Sequence, residues 1–218
     1  MSYVLMILPP LLKGAVITVE LFIVTLLFSL PLGLPVALGE NCRILPIRWI
    51  CKFYVFIFRG TPLMLQLFFF YFFFPMYLGI QTDSFTTAAF TFVLNYAAYF
   101  AEIYRGGLNS IDRGQYEASH SLGLGRGQTL FGIVLPQMFR IVLPPISNEV
   151  ITLIKDTALA SSIALVDIMR QSEGIVNRDG SLTAYLIAAC LYLVFTFVMT
   201  IVLNRIEGHY SKFDNKEA

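Results

Sequence analysis

The feature that most limits the fold of this chain is a series of apolar stretches, each long enough to cross a lipid bilayer. A membrane-spanning helix needs about 20 consecutive, mainly apolar residues. The segment from Leu182 to Leu203 contains no charged residue, and four other segments reach a similar length. The five predicted spans are about 14–38, 53–78, 84–104, 141–166 and 182–204. We therefore expect an all-α integral membrane protein, with residues 1–218 forming a single transmembrane domain.

Composition agrees with this fold class and excludes several functions. Charged residues make up only 13% of the chain and hydrophobic residues 57%, whereas a soluble domain carries about 25% charged residues. The net charge of +1 gives no information about a nucleic-acid partner, but the lack of a basic cluster argues against one. The cysteines at positions 42, 51 and 190 are too scattered to indicate a metal site.

The distribution of lysine and arginine predicts the orientation in the membrane. Cytoplasmic loops of membrane proteins carry an excess of these residues. The connections 39–52 and 105–140 and the C-terminal tail together hold ten of them, and the opposite side holds Lys13, Arg170 and Arg178. Five spans with the N-terminus outside and the C-terminus in the cytoplasm place all ten on the cytoplasmic side.

The connection 105–140 is long for a protein built from spans and short turns, and long ordered loops are usually functional. Its Gln115–Leu122 segment predicts a short helix with small residues on one face, ended by glycines at positions 123, 125 and 127. Such a helix can approach another protein closely. A re-entrant linker without a partner is the alternative reading of the same residues.

This loop also carries a family resemblance. Glu117-Ala118-Ser119, followed by Gly123 and by Ile133-Val134-Leu135-Pro136, resembles the EAA motif of type I ABC importer permeases at every spacing, with Ser119 replacing the usual Ala. Three more blocks resemble the polar amino-acid branch of that family. They are RGTPLMLQL (59–67), AYFAEIYRGGLNSI (98–111) and NEVITLIKDTALASSIAL (148–165).

The resemblance implies a permease subunit of an amino-acid importer in the bacterial inner membrane. It implies two ABC ATPase subunits, an extracytoplasmic binding protein and a second permease chain as partners, and a coupling helix at about 112–127. The residues implied to contact the ATPase are Gln115, Glu117, Ala118, Ser119, Leu122 and Gly123. The chain has no Gly-Lys dipeptide and hence no phosphate loop, so ATP and Mg²⁺ are expected on the partner ATPase, with no cofactor in this chain.

A break within the second span predicts the anion half of a substrate site. Threonine is a good N-cap and proline is favoured at the first helical position, so residues 59–62 predict the start of a new helix. A helix start offers free N–H groups and a positive dipole end. Discontinuous helices in membranes often bind substrate. The residues expected to receive a carboxylate are Arg59, Thr61, Pro62 and Leu63.

Two acids in the fourth span predict the cation half. Glu149 and Asp156 lie seven residues apart, so they share one face of a helix. Unpaired charge inside a membrane costs at least a few kcal/mol, so such groups face a cavity or each other. We expect them to bind the ammonium of an amino acid, with Ser161 nearby. A structural ion pair between Arg59 and Glu149 is the alternative.

Other polar residues in the spans are predicted to have structural roles. Asn95 is expected to hydrogen-bond a neighbouring helix in preference to a ligand. Glu102 and Asp167 are expected to be solvated near span ends. A proline-rich stretch at 31–35 is expected to bend or end the first span.

Functions outside the ABC family are weaker alternatives. A secondary amino-acid transporter would need its own ion-coupling site, and a channel subunit would conduct without nucleotide. A membrane enzyme would need a catalytic constellation, and none is visible in the sequence. We therefore predict a transport subunit that is not itself an enzyme.

Overall fold

The computed structural model describes residues 2–211, and its regular structure is helical throughout. The nine α-helices of this part of the chain are α1 (Ser2–Glu40), α2 (Leu45–Gly60), α3 (Leu63–Tyr77), α4 (Ser84–Asn109), α5 (Arg113–Ser121), α6 (Arg126–Thr129), α7 (Leu135–Asp156), α8 (Ile168–Asp179) and α9 (Thr183–Ser211). A π-helical turn, Leu130–Val134, precedes α7, and a 3₁₀ helix, Thr157–Ile163, follows it. The prediction of an all-α membrane fold is confirmed.

Three helical stretches are long and apolar enough to cross a membrane: Tyr3–Glu40, Arg126–Ile163 and Thr183–Tyr210. The pair α2 and α3 gives a fourth crossing if its two bent halves count as one span. The remaining predicted span, 84–104, corresponds to α4, which has 26 residues but carries Glu102 and Arg105. The number of crossings and their orientation remain predictions.

Helix α4 is the centre of the bundle, and α1, α2, α3 and α7 all pack against it. Half of its residues are buried, including the large side chains of Phe92, Tyr96 and Phe100. Gly33 of α1 allows a close approach, because a Cβ there would lie 2.9 Å from the Cβ of Phe100. The polar residues on the buried face of α4 are therefore shielded from lipid by other helices, as polar groups inside a membrane protein need to be.

Several helix boundaries differ from the predicted ones. Helix α1 begins at Ser2 and runs on to Glu40, so the stretch 31–35 does not end it. The apolar stretch predicted at 141–166 lies in a longer rod that begins before α7 and changes to 3₁₀ geometry after Asp156. A short helix, α8, occupies the connection to α9, where the sequence predicted only a loop.

Candidate functional site

The predicted break in the second span is present, and its cause is Pro62. Helix α2 ends at Gly60, α3 begins at Leu63, and the two helices meet at 108°. The capping prediction was wrong in detail, because Pro62 is the N-cap of α3 and Thr61 is the C-cap of α2. The Thr61 hydroxyl donates to the carbonyl of Ile57 at 2.8 Å. It therefore closes the end of α2 and leaves the start of α3 without a side-chain cap.

Arg59, in the last turn of α2, lies against α4. Its Nη1 is 3.4 Å from Oε2 of Glu102, and its guanidinium lies over the ring of Tyr99, 5.4 Å from the centroid. Glu102 also forms an ion pair with Arg105. The alternative ion pair between Arg59 and Glu149 is absent from the described residues. Arg59 is therefore held by α4, and Glu102 is ion-paired where the sequence had indicated a solvated acid.

These charges line a cleft of about 570 Å³ between α1, α2 and α4. Glu40 and Lys52 complete its charged lining. The side chains of Arg59 and Glu102 are 40% and 27% exposed, so the cleft is open to solvent at this point. A carboxylate that entered it would compete with Glu102 for the guanidinium of Arg59.

Glu149 and Asp156 both lie on α7 and are both partly buried. Asp156 Oδ2 accepts a hydrogen bond from the hydroxyl of Tyr96 at 2.7 Å. Within residues 2–211, neither carboxylate forms an ion pair with a lysine or arginine. Lys155 is exposed, so its side chain lies outside the core of the bundle. The two acids are near enough for their charges to repel each other, and neither is held in an ion pair, although the charges of Arg59 and Lys155 act on Glu149 and Asp156 respectively from a greater distance.

Two tyrosines of α4 connect the acids to Arg59. Tyr96, which donates to Asp156, has its ring centroid 6.1 Å from that of Tyr99. Tyr99 in turn lies under Arg59. The predicted anion and cation groups are therefore the ends of one continuous line of side chains, and they do not touch each other.

The other predicted binding residues lie around this line with different exposures. Thr61 and Pro62 are exposed at the bend, whereas Leu63 is buried at the start of α3. Ser161 lies in the 3₁₀ helix that follows Asp156 and is 9% exposed. The 3₁₀ helix packs against α3 and α4, so Ser161 lies in the same part of the bundle as Leu63.

The predicted coupling segment contains a helix, α5, that is shorter than the expected 112–127. The Asp112 carboxylate caps its start by accepting from the Gly114 N–H at 2.6 Å. Gly123, with a φ of +73°, follows its end. Gly127 lies inside α6 and so does not break a helix, contrary to the prediction.

The residues of α5 divide into an exposed and an inward set. Gln115, Glu117, Ala118 and the following Leu122 are exposed, and Leu122 is 78% exposed although it is apolar. Ser119 is 1% exposed and donates to the Gln115 carbonyl at 2.6 Å. The expected small-residue face therefore lacks Ser119, which packs the helix against the protein.

Helix α5 is tied to the rod that carries the acids. The Gln137 side chain of α7 donates to the Gln115 side chain at 3.2 Å. From Arg126 onward the chain is continuously helical through the π turn and α7 to Ile163. The Gln137–Gln115 hydrogen bond thus joins α5 to the helix that carries Glu149 and Asp156.

Sequence reasoning missed four residues of this region: Gln66, Tyr96, Tyr99 and Glu102. A signal for two of them was present, because Asn95, Tyr99 and Glu102 are spaced i, i+4 and i+7 and so share one face of α4. Gln66 and Tyr96 stand among apolar neighbours in which a single polar group gives no direction. The prediction that Asn95 bonds a neighbouring helix is confirmed, since its amide donates to the carbonyl of Phe58 at 3.0 Å.

Comparison with known proteins identifies the family. The profile described as "Binding-protein-dependent transport system inner membrane component" matches residues 29–212. The chain belongs to this family of importer permeases. It is 38% identical over 207 residues to the L-cystine transport system permease protein TcyB of Bacillus subtilis, with 94% of this chain and 88% of that protein covered. It is also 38% identical over 200 residues to the arginine transport system permease protein ArtQ of the same organism, with 91% of each covered.

Solved structures agree with this assignment. The chain superposes on a crystal structure of an amino acid ABC transporter with histidines at a TM-score of 0.87 and 30% identity, covering 95% of this chain and 97% of that one. The MetNI methionine transporter, at 16% identity and a TM-score of 0.75, shares the fold. This permease is thus the membrane subunit of an amino-acid ABC importer, and ATP hydrolysis belongs to a separate ATPase subunit.

The family also fixes the kinds of partner. An importer permease of this type works with an ATPase, a substrate-binding protein and a second permease. The apolar helices place this permease in a membrane. The EAA-like residues that suggested the family are typical of it.

Proposed function

We propose that this permease binds its amino acid between α4 and α7, with the cationic group of the substrate at Glu149 and Asp156. The observation that carries the proposal is the pair of partly buried acids without an ion-pair partner among the described residues. Two uncompensated carboxylates inside a membrane protein are costly unless a cation or protons neutralise them. The ammonium of a zwitterionic amino acid supplies such a cation.

The substrate carboxylate is proposed to meet Arg59, near the bend at Thr61, Pro62 and Leu63. Arg59 is half-exposed in a cleft that can admit a small solute. Its present partner, Glu102, forms a second ion pair with Arg105, so Glu102 remains compensated when Arg59 turns to a ligand. Ser161 lies next along the helical rod and offers a hydroxyl to the same region.

The energy for transport is proposed to enter through α5. Its exposed residues, Gln115, Glu117, Ala118 and Leu122, form a surface for an ATPase subunit, with Gly123 setting the turn beside it. Two ATPase subunits, which bind ATP and Mg²⁺, would act on a pair of permease chains in the bacterial inner membrane. An extracytoplasmic binding protein would deliver the amino acid.

The test uses the reconstituted transporter with its ATPase and binding protein, and follows uptake of L-arginine, L-glutamine and L-cystine. Glu149→Gln and Asp156→Asn each remove one negative charge with little change of shape. We expect each to lower uptake by about a hundredfold, because a hydrogen bond to a charged group contributes up to about 3 kcal/mol.

Lys155→Gln is the matched control, since Lys155 is next to Asp156 in the chain but exposed. We expect its uptake to equal that of the wild type. Assembly with the ATPase is measured by size-exclusion chromatography for all three variants. Wild-type uptake by both acid variants in an intact complex would exclude the proposed site.

A further inference from the structure

The carbonyl of Phe58 is one of those that the bend between α2 and α3 leaves without a helical donor. In an α-helix, the carbonyl of Phe58 would accept from the N–H of residue 62, but Pro62 has no N–H. The last regular bond of α2 is therefore that from the Thr61 N–H to the carbonyl of Ile57. An unpaired backbone carbonyl inside a membrane costs several kcal/mol, so the Phe58 carbonyl needs another donor.

Two side-chain amides supply it. Asn95 Nδ2 of α4 donates to the Phe58 carbonyl at 3.0 Å, and Gln66 Nε2 of α3 donates to it at 2.9 Å. Asn95 Nδ2 also donates to Gln66 Oε1 at 3.0 Å. Both amides are buried, at 4% and 7% exposure. Because they are shielded from water, these bonds are stronger than they would be at a surface.

Gln66 has a second set of partners at the bend. Its Nε2 lies 2.8 Å from the Thr61 hydroxyl and 3.1 Å from the Thr61 carbonyl. The amide pair of Asn95 and Gln66, which we term the amide latch, thus joins the end of α2, the start of α3 and the middle of α4. The amide latch therefore holds the bend between α2 and α3 against α4, the central helix.

The latched carbonyl is one residue away from Arg59. On α4, Asn95, Tyr99 and Glu102 lie on one face at i, i+4 and i+7. On that face, Asn95 donates to the Phe58 carbonyl. The next residue, Arg59, contacts both Tyr99 and Glu102 through its guanidinium. The backbone position from which Arg59 reaches into the cleft is therefore set by the amide latch.

We propose that Asn95 and Gln66 are positioning residues for transport, which hold Arg59 where it meets the carboxylate of the substrate. The proposal rests on the proposed function of Arg59. Neither amide touches the substrate in this account. Loss of either one frees the end of α2 and moves Arg59 relative to the acids on α7.

The decisive variant is Asn95→Leu, which keeps the approximate volume and removes the donor. Gln66→Met does the same on α3 and serves where Asn95→Leu fails to assemble. The matched control is Thr91→Val, one turn before Asn95 on α4. Thr91 is fully buried, and within residues 2–211 its hydroxyl bonds only to the Thr87 carbonyl of its own helix.

Two readouts are taken on the complete transporter. The first is the rate at which a hydrophilic methanethiosulfonate reagent labels a cysteine at position 60, with Cys42, Cys51 and Cys190 replaced by alanine. Gly60 lines the cleft, and a side chain there meets no other atom within 4 Å. The second is the KM and maximal rate of uptake of L-arginine, L-glutamine and L-cystine.

For the latch variants we expect the labelling rate to change by more than about threefold and KM to rise about fivefold, since one buried hydrogen bond contributes about 1 kcal/mol. The maximal rate should change less than KM. Thr91→Val should leave both readouts at the wild-type values.

The two readouts separate this proposal from the proposed function. Unchanged labelling in both latch variants would overturn the positioning role, whatever transport does. Changed labelling with an unchanged KM would support the latch as a determinant of the bend and would contradict the role of Arg59 in binding substrate.

Discussion

Charged groups on the two sides of α4 differ in whether they form ion pairs. On the side that faces α2, Glu102 forms ion pairs with Arg59 and Arg105. The carbonyl of Phe58, which lacks a helical donor, accepts hydrogen bonds from two side-chain amides. On the side that faces α7, Asp156 accepts one hydrogen bond from Tyr96. Within residues 2–211, neither Asp156 nor Glu149 has a positive partner.

This difference separates structural from functional charge. A charge that is paired within the fold needs no ligand, and removal of one partner leaves the other uncompensated. Two acids without an ion pair are stabilised by a bound cation or by protons. The charges on the α2 side are thus paired by the protein until a substrate carboxylate takes the place of Glu102 at Arg59, whereas the α7 side is suited to a cationic guest.

The first test of this difference changes a residue on the α7 side and keeps both acids. Tyr96→Phe deletes the hydroxyl that donates to Asp156 and keeps the buried ring. We expect KM for uptake to rise about tenfold, because hydrogen bonds to a charged group contribute about 1.5–3 kcal/mol and Asp156 loses its orientation.

Tyr104→Phe is the control for this variant. Tyr104 is another buried tyrosine of α4, but its hydroxyl donates to the Leu30 carbonyl of α1 at 3.3 Å, away from the acids. We expect its KM to stay at the wild-type value. An equal effect of both variants on KM would indicate a general packing defect and would remove the distinction between the two sides.

A smaller effect is expected from the α2 side. Glu102→Gln releases Arg59 from an ion pair that is partly exposed, so the free energy of unfolding should change by less than about 1 kcal/mol. Because the substrate carboxylate no longer competes with Glu102, we expect KM to fall about threefold. Kinetic measurement of uptake and a thermal melt of the same preparation check both parts.

Glu173→Gln is the comparison for that variant, since Glu173 forms an exposed ion pair with Arg170 at 3.6 Å in α8. It should change neither KM nor stability appreciably. A rise in KM on Glu102→Gln would mean that Glu102 assists binding and does not compete with the substrate carboxylate for Arg59.

Asp167 tests the other way in which an unpaired acid can be stabilised. It is fully buried before α8, where its Oδ1 accepts from the Arg170 N–H at 2.8 Å and its Oδ2 has no protein partner. Burial raises the pKa of Asp167 from 3.8 to about 7. Asp167 is therefore expected to be protonated below about pH 7, and because it is buried the prediction of a solvated residue was wrong.

The pH dependence follows from that shift. The folded protein binds the proton more tightly than the unfolded chain, so stability falls as pH rises from about 4 to about 7, by about 4 kcal/mol at most. Asp167→Asn keeps the helix cap and removes the ionisable group. We expect the melting temperature of the variant to depend less on pH over this range, with uptake unchanged.

Asp179→Asn is the control for Asp167. Hydrogen bonds from Arg178 and Tyr3 lower the pKa of Asp179 to about 2, so its charge is constant between pH 4 and 8. The variant should therefore melt with the same pH dependence as the wild type. A wild-type pH dependence in Asp167→Asn would show that Asp167 is charged in the folded protein.

The sequence predicted the class of fold and the family because those depend on local patterns. Apolar length identifies spans, and the spacing from Glu117 to Pro136 identifies the loop that bears the EAA-like residues. The break at Pro62 was also predictable, because proline acts on its own helix. These features need no knowledge of which helices are neighbours.

The partners of Arg59 could not be predicted in the same way. The sequence offered Glu149 as an alternative partner, but the pairing with Glu102 depends on α2 packing against α4. Ser119 turned inward for a similar reason, because the face that α5 buries is set by its contact with the rest of the protein. Which helices are neighbours, and which face each helix turns inward, depend on how the whole bundle packs.

The most direct test of the central claim is a structure of the transporter with its amino acid bound. The account predicts the ammonium nitrogen of the substrate, or a cationic side-chain group, about 3 Å from a carboxylate oxygen of Glu149 or Asp156. Tyr96 should still donate to Asp156. An amino acid bound elsewhere in the bundle, with both acids turned away from it, would contradict the account.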